Sequence, residues 1–547
     1  MFSPIYTAQE VIIPYSLHPY DIYQKNPEIW MFLKKAYIFL SLFSNIIISN
    51  FLFSNIENFF KFLKSKQKVS ENVLLETSSN FNLFIGCEKR TSKNVFLPES
   101  GLFQNFLITG TIGSGKTSCA MYPFTEQFLE YNSKAKIEEK FSILILDVKG
   151  NYHKYVSSLC QKYFLQDDLV VIDLTSKVKY NPLHKPNLKP QVLANQLKTI
   201  LTLFSEKNSD SFWLDKAEQV LTECIKLCRL YNNNYVTFLE LHKLIFFPNY
   251  YQEKIQVLRN NFISGKYSQE EIYNLNSSLD FFEKEFNFLD QRTLAILKSE
   301  ISRITNTFIS DFEILQTFCS KEEELTFSGF SEVLSSGKIV VLNLNIAEYK
   351  NLSQIIATYL KLDFQTEIMA NLSNDNIFKS VFLCDEYDKY CTKTDGEFFS
   401  LSREAKCINI VSTQSYSSLK NALKDDCATK VILQNLINKI WFRTDDIFTI
   451  DEAKKQIGKE EKEKISKSVS ESAKETTFSY ITNSLNSESS NISESFSVYS
   501  QYDYIYDSNF FSQNLETFSC LTFLSNGFSI LPPSKLVMTP YFKKASR

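Results

Sequence analysis

The chain of 547 residues has a net charge of −3, with 44% hydrophobic and 22% charged residues. This composition is typical of a globular protein of two or three domains, and it excludes a strongly basic overall charge that would by itself attract nucleic acid. Eleven scattered cysteines without a C-x-x-C pair predict reduced thiols and argue against a disulfide framework.

The N-terminal part contains one candidate membrane segment, residues 36–53. Its length is close to that of a bilayer span, and lysines flank it on both sides. However, Ser41, Asn45 and Ser49 recur every four residues, which is typical of an amphipathic helix that lies on a membrane or on a partner. Residues 1–70 are therefore predicted to be either a membrane anchor or an amphipathic helix region. A span would place the rest of the chain on the cytoplasmic side.

A glycine-rich loop follows, in a stretch that predicts strand, loop and helix. The apolar run 106–109 predicts the strand, and residues 118–128 predict the helix. Glycine-rich backbone and a helix N-terminus bind phosphate oxygens, while the lysine of this pattern reaches the β- and γ-phosphates and its hydroxyl is a Mg²⁺ ligand. The segment predicts an ATP and Mg²⁺ site, with Lys116 also catalytic and Thr117 the metal ligand. Its residues match G-x-x-x-x-G-K-[ST] at every fixed position and are followed by one more serine: Gly110, Thr111, Ile112, Gly113, Ser114, Gly115, Lys116, Thr117 and Ser118.

Apolar runs rich in Ile, Val and Leu recur along the chain, beginning near Leu83. Such runs without polar alternation are typical of strands in a parallel sheet that is buried on both faces. Helical patterns separate most of them, which predicts an α/β fold with a mostly parallel, doubly wound sheet. The later runs are 142–147, 169–174, 339–344, 379–385, 408–412 and 518–524.

Two stretches interrupt this alternation. Residues 186–325 lack strand-like runs and carry amphipathic helical patterns, which predicts an inserted all-helical domain. Residues 465–500 are rich in Ser, Asn, Glu and Thr, which predicts a surface loop or a partly disordered excursion. The nucleotide-binding core is thereby divided into a first part, 71–185, and a second part, 326–547.

An acidic pair ends the run 379–385. Asp385 is predicted to hold Mg²⁺ through the water shell of the ion, and Glu386 to polarise the attacking water. An Asp-Glu pair at the end of a strand, downstream of a phosphate loop, indicates an ATPase that hydrolyses its nucleotide.

Two polar residues flank the next apolar run, 408–412. Gln414, which follows it, either senses the γ-phosphate and positions water or caps the end of the strand. Arg403, which precedes it, either stabilises the phosphoryl group being transferred on a neighbouring subunit or is a surface arginine.

The order of these motifs resembles the TraG/TraD-type coupling proteins, the ATPases of the HerA/FtsK group that deliver DNA to conjugative type IV secretion channels. The D-x-K-G strand end and the late Ser-Thr-Gln are the most discriminating pieces, and the resemblance extends over residues 80–547. The matching pieces after the phosphate loop are Leu146-Asp147-Val148-Lys149-Gly150, Asn181-Pro182-Leu183, Phe212-Trp213, Asp385-Glu386 and Ser412-Thr413-Gln414.

The resemblance implies a RecA-like P-loop core, an inserted all-α domain that recognises substrate, an N-terminal membrane anchor, and hexamers with ATP sites between subunits. It implies that Arg403 acts in trans, on the nucleotide bound by a neighbouring subunit. Asp147 and Lys149 match the second strand motif of the family, and either contact the nucleotide region or form a structural ion pair. The implied partners are DNA and relaxosome or secretion-channel proteins, at the cytoplasmic face of the inner membrane.

The function predicted from these features is that of an ATP-hydrolysing coupling protein that recruits and translocates DNA, or a DNA–protein substrate, to a conjugative type IV secretion channel. One alternative is a soluble, cytoplasmic HerA-like DNA translocase in DNA processing or defence. The other is an ATP-dependent protein-recruitment platform, which the intact Lys116, Asp385 and Glu386 argue against, since a scaffold has no need of a hydrolytic glutamate.

Overall fold

The computed structural model describes residues 28, 31–32, 34–45, 81–89, 91–174, 178–203, 211–265, 267–344, 349, 351–372, 378–472, 477–479, 484–486 and 491–543. The chain divides into two compact units, residues 1–80 and 81–547.

In the first unit, residues 34–45 form a helix. On it, the amide of Asn45 donates a hydrogen bond to the carbonyl of Ser41 (2.7 Å), as expected for two positions one turn apart. Residues 46–53 of the predicted membrane segment, Ser49 among them, lie outside the described residues. Among the residues that are described, no helix is both long and apolar enough to cross a bilayer.

The second unit contains a large mixed sheet and two small hairpins. The strands are β1 (Asn82–Glu88), β2 (Asn94–Pro98), β3 (Phe106–Thr109), β4 (Ser142–Leu146), β5 (Leu169–Ile172), β6 (Ile339–Leu342), β7 (Ser380–Cys384), β8 (Cys407–Thr413), β9 (Asn438–Phe442), β10 (Lys459–Ser472), β11 (Thr477–Ser479), β12 (Ser484–Asn486), β13 (Asn491–Tyr504), β14 (Ser519–Phe523) and β15 (Ser534–Val537). In the described part of the chain the large sheet has 11 strands in the order β2-β1-β15-β14-β9-β3-β8-β7-β4-β6-β5.

The strands from β9 to β5 in that order are parallel, and the four at the other end are antiparallel. The carboxyl ends of the parallel strands therefore meet at one edge of the sheet, which we call the carboxyl edge. The phosphate loop follows the central strand β3.

The principal helices, in chain order, are α1 (Tyr122–Asn132), α2 (Tyr152–Lys162), α3 (Pro190–Leu203), α4 (Ser211–Tyr231), α5 (Phe238–Phe246), α6 (Pro248–Ile263), α7 (Gln269–Asp280), α8 (Gln291–Ile309), α9 (Phe312–Phe318), α10 (Phe330–Ser336), α11 (Asn351–Asn371), α12 (Asp395–Leu401), α13 (Tyr416–Leu423), α14 (Asp426–Asn435) and α15 (Ile447–Ile457). A π-helical turn, Lys116–Met121, leads into α1.

The sheet is buried on both faces, as the apolar runs predict. Successive residues of one strand point to opposite faces. Accordingly, Leu144 of β4 lies in one hydrophobic cluster, while its neighbours Ile143 and Ile145 lie in another. Alternating strands and helices with both faces covered confirm the predicted α/β fold with a mostly parallel sheet.

The regular elements described between β5 and β6 are all helices, joined by turns and irregular segments. These helices share a core with one face of the sheet: Leu221 of α4 and Ile301 of α8 lie in the same hydrophobic cluster as Leu144. The helical region thus packs against the sheet through continuous apolar contacts. The boundaries of the predicted inserted domain, 186–325, stay a prediction.

The prediction for residues 465–500 is wrong where this stretch is described, because it forms strands and not a loop. β10 and β13 pair in continuous antiparallel register, from Lys459 opposite Tyr504 to Ser472 opposite Asn491. The polar composition indicates that the segment buries few side chains. It does not exclude strands, because two paired strands form hydrogen bonds between their own backbone groups without burying side chains. The side chains of Ile465 and other described residues of the ribbon are indeed exposed.

Candidate nucleotide-binding site

The phosphate loop is held at the carboxyl edge by its neighbours in the sheet. The N–H of Thr111 donates to the carbonyl of Arg443, just after β9 (2.8 Å), and the N–H of Gly110 donates to the carbonyl of Gln414, just after β8 (3.3 Å). Gly113 has a φ of 76°, a conformation that side chains with a Cβ rarely adopt. The loop is therefore fixed from both sides of β3 and reverses the chain at a glycine.

The helix that follows the loop presents its N-terminus to the same place. Cys119 donates its N–H to the carbonyl of Gly115 (2.8 Å), the first intrahelical bond of the turn Lys116–Met121. The preceding N–H groups of a helix have no partner within it, and its dipole is positive at this end. These are the backbone properties that a phosphate site needs.

Lys116 is folded back over the loop. Its ammonium donates to the carbonyls of Gly110 (2.5 Å) and Thr111 (3.2 Å), and the residue is almost fully buried. Burial lowers the pKa of Lys116, while the carboxylates of Asp385 and Glu386 oppose this change. The geometry thus holds a partly desolvated cation at the centre of the loop.

The two predicted metal ligands touch each other. The hydroxyl of Thr117 donates to Oδ2 of Asp385 (2.8 Å), although the two residues are distant in sequence. Oδ1 of the same carboxylate accepts hydrogen bonds from the hydroxyl of Ser412 and from the N–H of Glu386 (3.2 Å). Asp385 is buried at the end of β7 and is held in one orientation by these donors.

Glu386 lies beside this carboxylate and forms an ion pair across the cavity. Its Oε1 lies 3.1 Å from Nζ of Lys149. Burial tends to lower the pKa of Lys149, but Asp385 and Glu386 together raise it above its ordinary value. Glu386 has a φ of 53° and a ψ of 50°, a left-handed conformation that is uncommon for glutamate.

Asp147 and Lys149 belong to one motif, but Asp147 binds backbone N–H groups whereas Lys149 forms an ion pair. The carboxylate of Asp147 accepts backbone N–H bonds from Lys149 (3.1 Å), Asn151 (3.0 Å) and Tyr152 (3.2 Å). Burial raises the pKa of Asp147, and these three donors oppose the shift. Asp147 shapes the turn before α2, and the ammonium of Lys149 pairs with Glu386 and not with Asp147.

The structure brings Gln414 to the site and leaves Arg403 away from it. Gln414 lines the cavity and accepts a bond from the loop through its carbonyl. Arg403 is exposed and precedes β8, whereas the loop lies beyond the other end of that strand, roughly 20 Å away at 3.3 Å per residue. Within one chain Arg403 does not reach the phosphate loop.

A cavity of about 290 Å³ joins these groups. The side chains fit Mg²⁺ and phosphates: Thr117 and Asp385 offer the oxygen ligands that Mg²⁺ prefers, and Lys116 and Lys149 offer cations. Among the described residues no group of three His, Cys, Asp or Glu side chains is arranged to hold a metal by itself. A Mg²⁺ ion here would share its coordination with phosphate oxygens and water, as is usual for this ion. The cavity is lined by Thr111, Ile112, Gly113, Gly115, Lys116, Thr117, Ser118, Lys149, Asp385, Glu386 and Gln414.

Two features of the site were not predicted from the sequence. Ser412 belongs to the Ser-Thr-Gln motif, but its hydrogen bond to Asp385 was not foreseen; its place at the end of the strand next to β7 was the available signal. The pairing of Lys149 with Glu386 follows from β4 and β7 being neighbours, which local sequence patterns do not reveal.

Comparisons with known proteins point to one group. A family model described as type IV secretory system conjugative DNA transfer matches residues 61–285, and a model described as the TraM recognition site of TraD and TraG matches residues 379–497. No curated protein sequence matches the chain significantly.

Solved structures of the plasmid coupling protein TrwB have a similar fold. The unbound monoclinic form of TrwBdeltaN70 matches with a TM-score of 0.55 and 12% identity, over 86% of this chain and 90% of that one. TrwB with the non-hydrolysable GTP analogue GDPNP matches with a TM-score of 0.54 and 11% identity, over 81% and 87%. TrwB with ADP and Mg²⁺ matches with a TM-score of 0.52 and 12% identity, over the same shares of the two chains. The two family models confirm the predicted resemblance to TraG/TraD-type coupling proteins, and the TrwB structures show that the fold is similar.

Proposed function

We propose that this relative of the TraG/TraD-type coupling proteins hydrolyses ATP and uses the energy to bring DNA, or a DNA–protein substrate, to a conjugative type IV secretion channel. The observation that carries the proposal is the contact of Thr117 with Asp385 at the phosphate loop, with Glu386 beside them. The family model for conjugative DNA transfer supports the substrate class. The complexes of TrwB with ATP and GTP analogues and with ADP and Mg²⁺ support a nucleotide and Mg²⁺ as ligands.

In the proposed reaction, Lys116 exchanges its two carbonyl partners for β- and γ-phosphate oxygens. Thr117 directly and Asp385 through water would hold Mg²⁺, which would supply positive charge next to the phosphates. Glu386 orients the attacking water and accepts its proton. Lys149 fixes the carboxylate of Glu386 through their ion pair, and Gln414 contacts the γ-phosphate.

Arg403 acts in this proposal on a neighbouring subunit. A guanidinium supplied in trans stabilises the charge of the transition state, and a ring of subunits brings the start of one β8 towards another loop. The proposed assembly is a homo-hexamer with ATP sites at its interfaces.

The remaining parts of the proposal concern location and partners. Residues 1–70 attach the protein to the cytoplasmic face of the inner membrane, and the helical region 186–325 recognises substrate. The match of residues 379–497 to the TraM recognition model supports a relaxosome protein as a partner of that segment. Retention of the full chain in membranes during an alkaline wash, and its release when residues 36–53 are deleted, test the attachment.

The decisive experiment measures ATP hydrolysis by the full chain with and without DNA, beside Glu386→Gln. DNA-stimulated turnover that is abolished by Glu386→Gln and kept by Glu253→Gln, an exposed glutamate of α6, supports a DNA motor. A rate of ATP hydrolysis that is the same with and without DNA would refute the DNA-translocation part of the proposal. Binding of a relaxosome protein without any turnover would favour the recruitment platform, for which the TraM recognition match is the supporting observation.

A further inference from the structure

The two sides of the phosphate loop differ in chemistry. Asp385 follows β7 and Gln414 follows β8, and both strands lie on one side of β3 in the sheet. On the other side lie β9 and then β14. Cys520 of β14 pairs with Phe442 at the end of β9, so the start of β14 and the preceding Phe518 lie at the carboxyl edge. The loop therefore has acidic and amide groups on one side and an aromatic residue on the other.

Phe518 is fixed against the loop. Its N–H donates to the carbonyl of Ser114 (3.3 Å), and its own carbonyl accepts the N–H of Met538 (2.9 Å). A Cβ on Gly115 would lie only 3.0 Å from the Phe518 ring. Phe518 also has a φ of 68°, which is rare for a bulky residue and persists only where surrounding contacts impose it.

A short 3₁₀ helix, Tyr541–Lys543, extends this aromatic surface. The ring of Phe542 lies 6.2 Å from that of Phe518 at 72°, and Phe542 is 59% exposed. Tyr541 packs edge-on against Tyr122 at the start of α1 (5.1 Å), which anchors the short helix beside the first turn after the loop. The exposed ring of Phe542 is thus held in place by the partly buried Phe518 and by the packing of Tyr541 on the partly buried Tyr122.

Lys543 adds a positive charge to the same surface. Its ammonium lies 5.6 Å from the centre of the Phe518 ring. Lys543 therefore lies beside Phe518, on the side of the loop where β9 and β14 lie.

We propose that Phe542 is the stacking platform for the base of the nucleoside triphosphate, on the surface formed by Phe518, Phe542 and Lys543. The proposal rests on the proposed function, since it assumes that the loop binds a triphosphate. In the proposed complex, Asp385 and Gln414 lie next to the γ-phosphate of the nucleotide. The α-phosphate, sugar and base therefore extend towards the opposite side of the loop, where this surface lies. Stacking accepts any base because every base has a π face, so the site discriminates weakly between adenine and guanine nucleotides.

The test measures binding of three probes to the full chain in Mg²⁺ by calorimetry: ADPNP, GDPNP and tripolyphosphate, which has no base. Phe542→Ala is expected to weaken ADPNP and GDPNP about tenfold, the size of one lost base–aromatic stack, and to leave tripolyphosphate within about twofold. Phe542→Tyr keeps the ring and is expected to bind all three probes as the parent does. Phe528→Ala is the matched control, because Phe528 is 69% exposed and follows the far end of β14.

Each outcome decides between the inference and the proposed function. Unchanged ADPNP binding by Phe542→Ala would overturn the stacking role alone, since the parent protein still binds nucleotide. An equal loss of ADPNP and tripolyphosphate would also overturn it, because Phe542 would then act through the loop and not on the base. A parent chain that binds none of the probes would refute the nucleotide site itself.

Discussion

A buried ion pair behind the acidic strand end gives the sharpest prediction about stability. Lys361 of α11 and Asp395 of α12 are both 0% exposed, and Nζ of Lys361 lies 2.6 Å from each oxygen of the Asp395 carboxylate. Asp395 also accepts bonds from Thr392, Gln365 and Tyr387. Tyr387 directly follows Glu386, so the pair secures the segment that carries the proposed general base.

Asp395→Asn leaves the Lys361 ammonium buried without the counter-charge of Asp395, with the hydroxyl of Thr392 (3.0 Å) and the ring of Tyr387 (5.8 Å to its centre) as remaining partners. Loss of one partner from a buried pair costs about 3–5 kcal/mol, which is a large part of the 5–15 kcal/mol that typically stabilises a protein. Lys361→Met costs less, because the Asp395 carboxylate keeps its bonds from Thr392, Gln365 and Tyr387. Removing both charges with Lys361→Met/Asp395→Leu restores much of the loss.

Hydrogen exchange of residues 387–401 measures the free energy of local opening, and suits a chain too large for two-state unfolding. The matched control is Glu130→Gln, which breaks an exposed i,i+4 pair with Lys134 and is expected to change stability by less than about 0.5 kcal/mol. A cost below about 1 kcal/mol for Asp395→Asn would refute the reasoning. So would a double variant that is no more stable than Asp395→Asn.

Three further predictions concern single residues of the core and the site. Burial lowers the pKa of Lys439 from 10.5 to about 7, so between these values the unfolded chain binds a proton that the folded chain does not. The free energy of opening of β9 should therefore rise with pH over this range, by at most roughly 1.4 kcal/mol per pH unit, and Lys439→Met should remove this slope in hydrogen exchange measured at several pH values. Ser412→Ala removes a hydrogen bond to the Asp385 carboxylate, and we expect about a tenfold higher Mg²⁺ requirement in hydrolysis; an unchanged Mg²⁺ titration would contradict this. Arg403→Ala should lower turnover about a thousandfold or more, and mixing it with Glu386→Gln subunits should restore part of the activity, because mixed interfaces contain one intact Arg403 and one intact Glu386. Mixtures as inactive as the separate variants would argue against action in trans.

Strands β3 to β8 could be predicted because the sheet is buried on both faces, whereas the runs predicted from the sequence did not include β2, β9 or β15. Residues 143–146 and 339–342 are apolar at every position, and that signal is local. The phosphate-loop pattern was recognisable for the same reason: its glycines, lysine and hydroxyl lie in one contiguous segment, 110–117. Its partner Asp385 was predictable as the acidic end of a later strand.

The contacts between segments that are distant in sequence could not be predicted from local sequence patterns. Lys149 pairs with Glu386 because β4 and β7 are neighbours, and strand order depends on the packing of the whole sheet. Composition also failed for residues 465–500. Composition indicates how much surface a segment can bury, whereas the ribbon of β10 and β13 is held by its backbone ladder, with side chains that are mostly exposed where they are described.

The backbone at Glu386 explains how two adjacent acids serve one cavity. Successive residues of a strand point to opposite faces, so Asp385 and Glu386 would diverge if β7 simply continued. The strand ends at Cys384, and the left-handed conformation of Glu386 (φ 53°) turns the chain so that both carboxylates line the cavity. Such a conformation costs of order 1–3 kcal/mol and persists where surrounding contacts impose it. Here Asp385 accepts the N–H of Glu386, Lys149 binds its carboxylate, and the buried Lys361–Asp395 pair secures the residues that follow. The strain therefore lies at the residue whose orientation the proposed hydrolysis depends on.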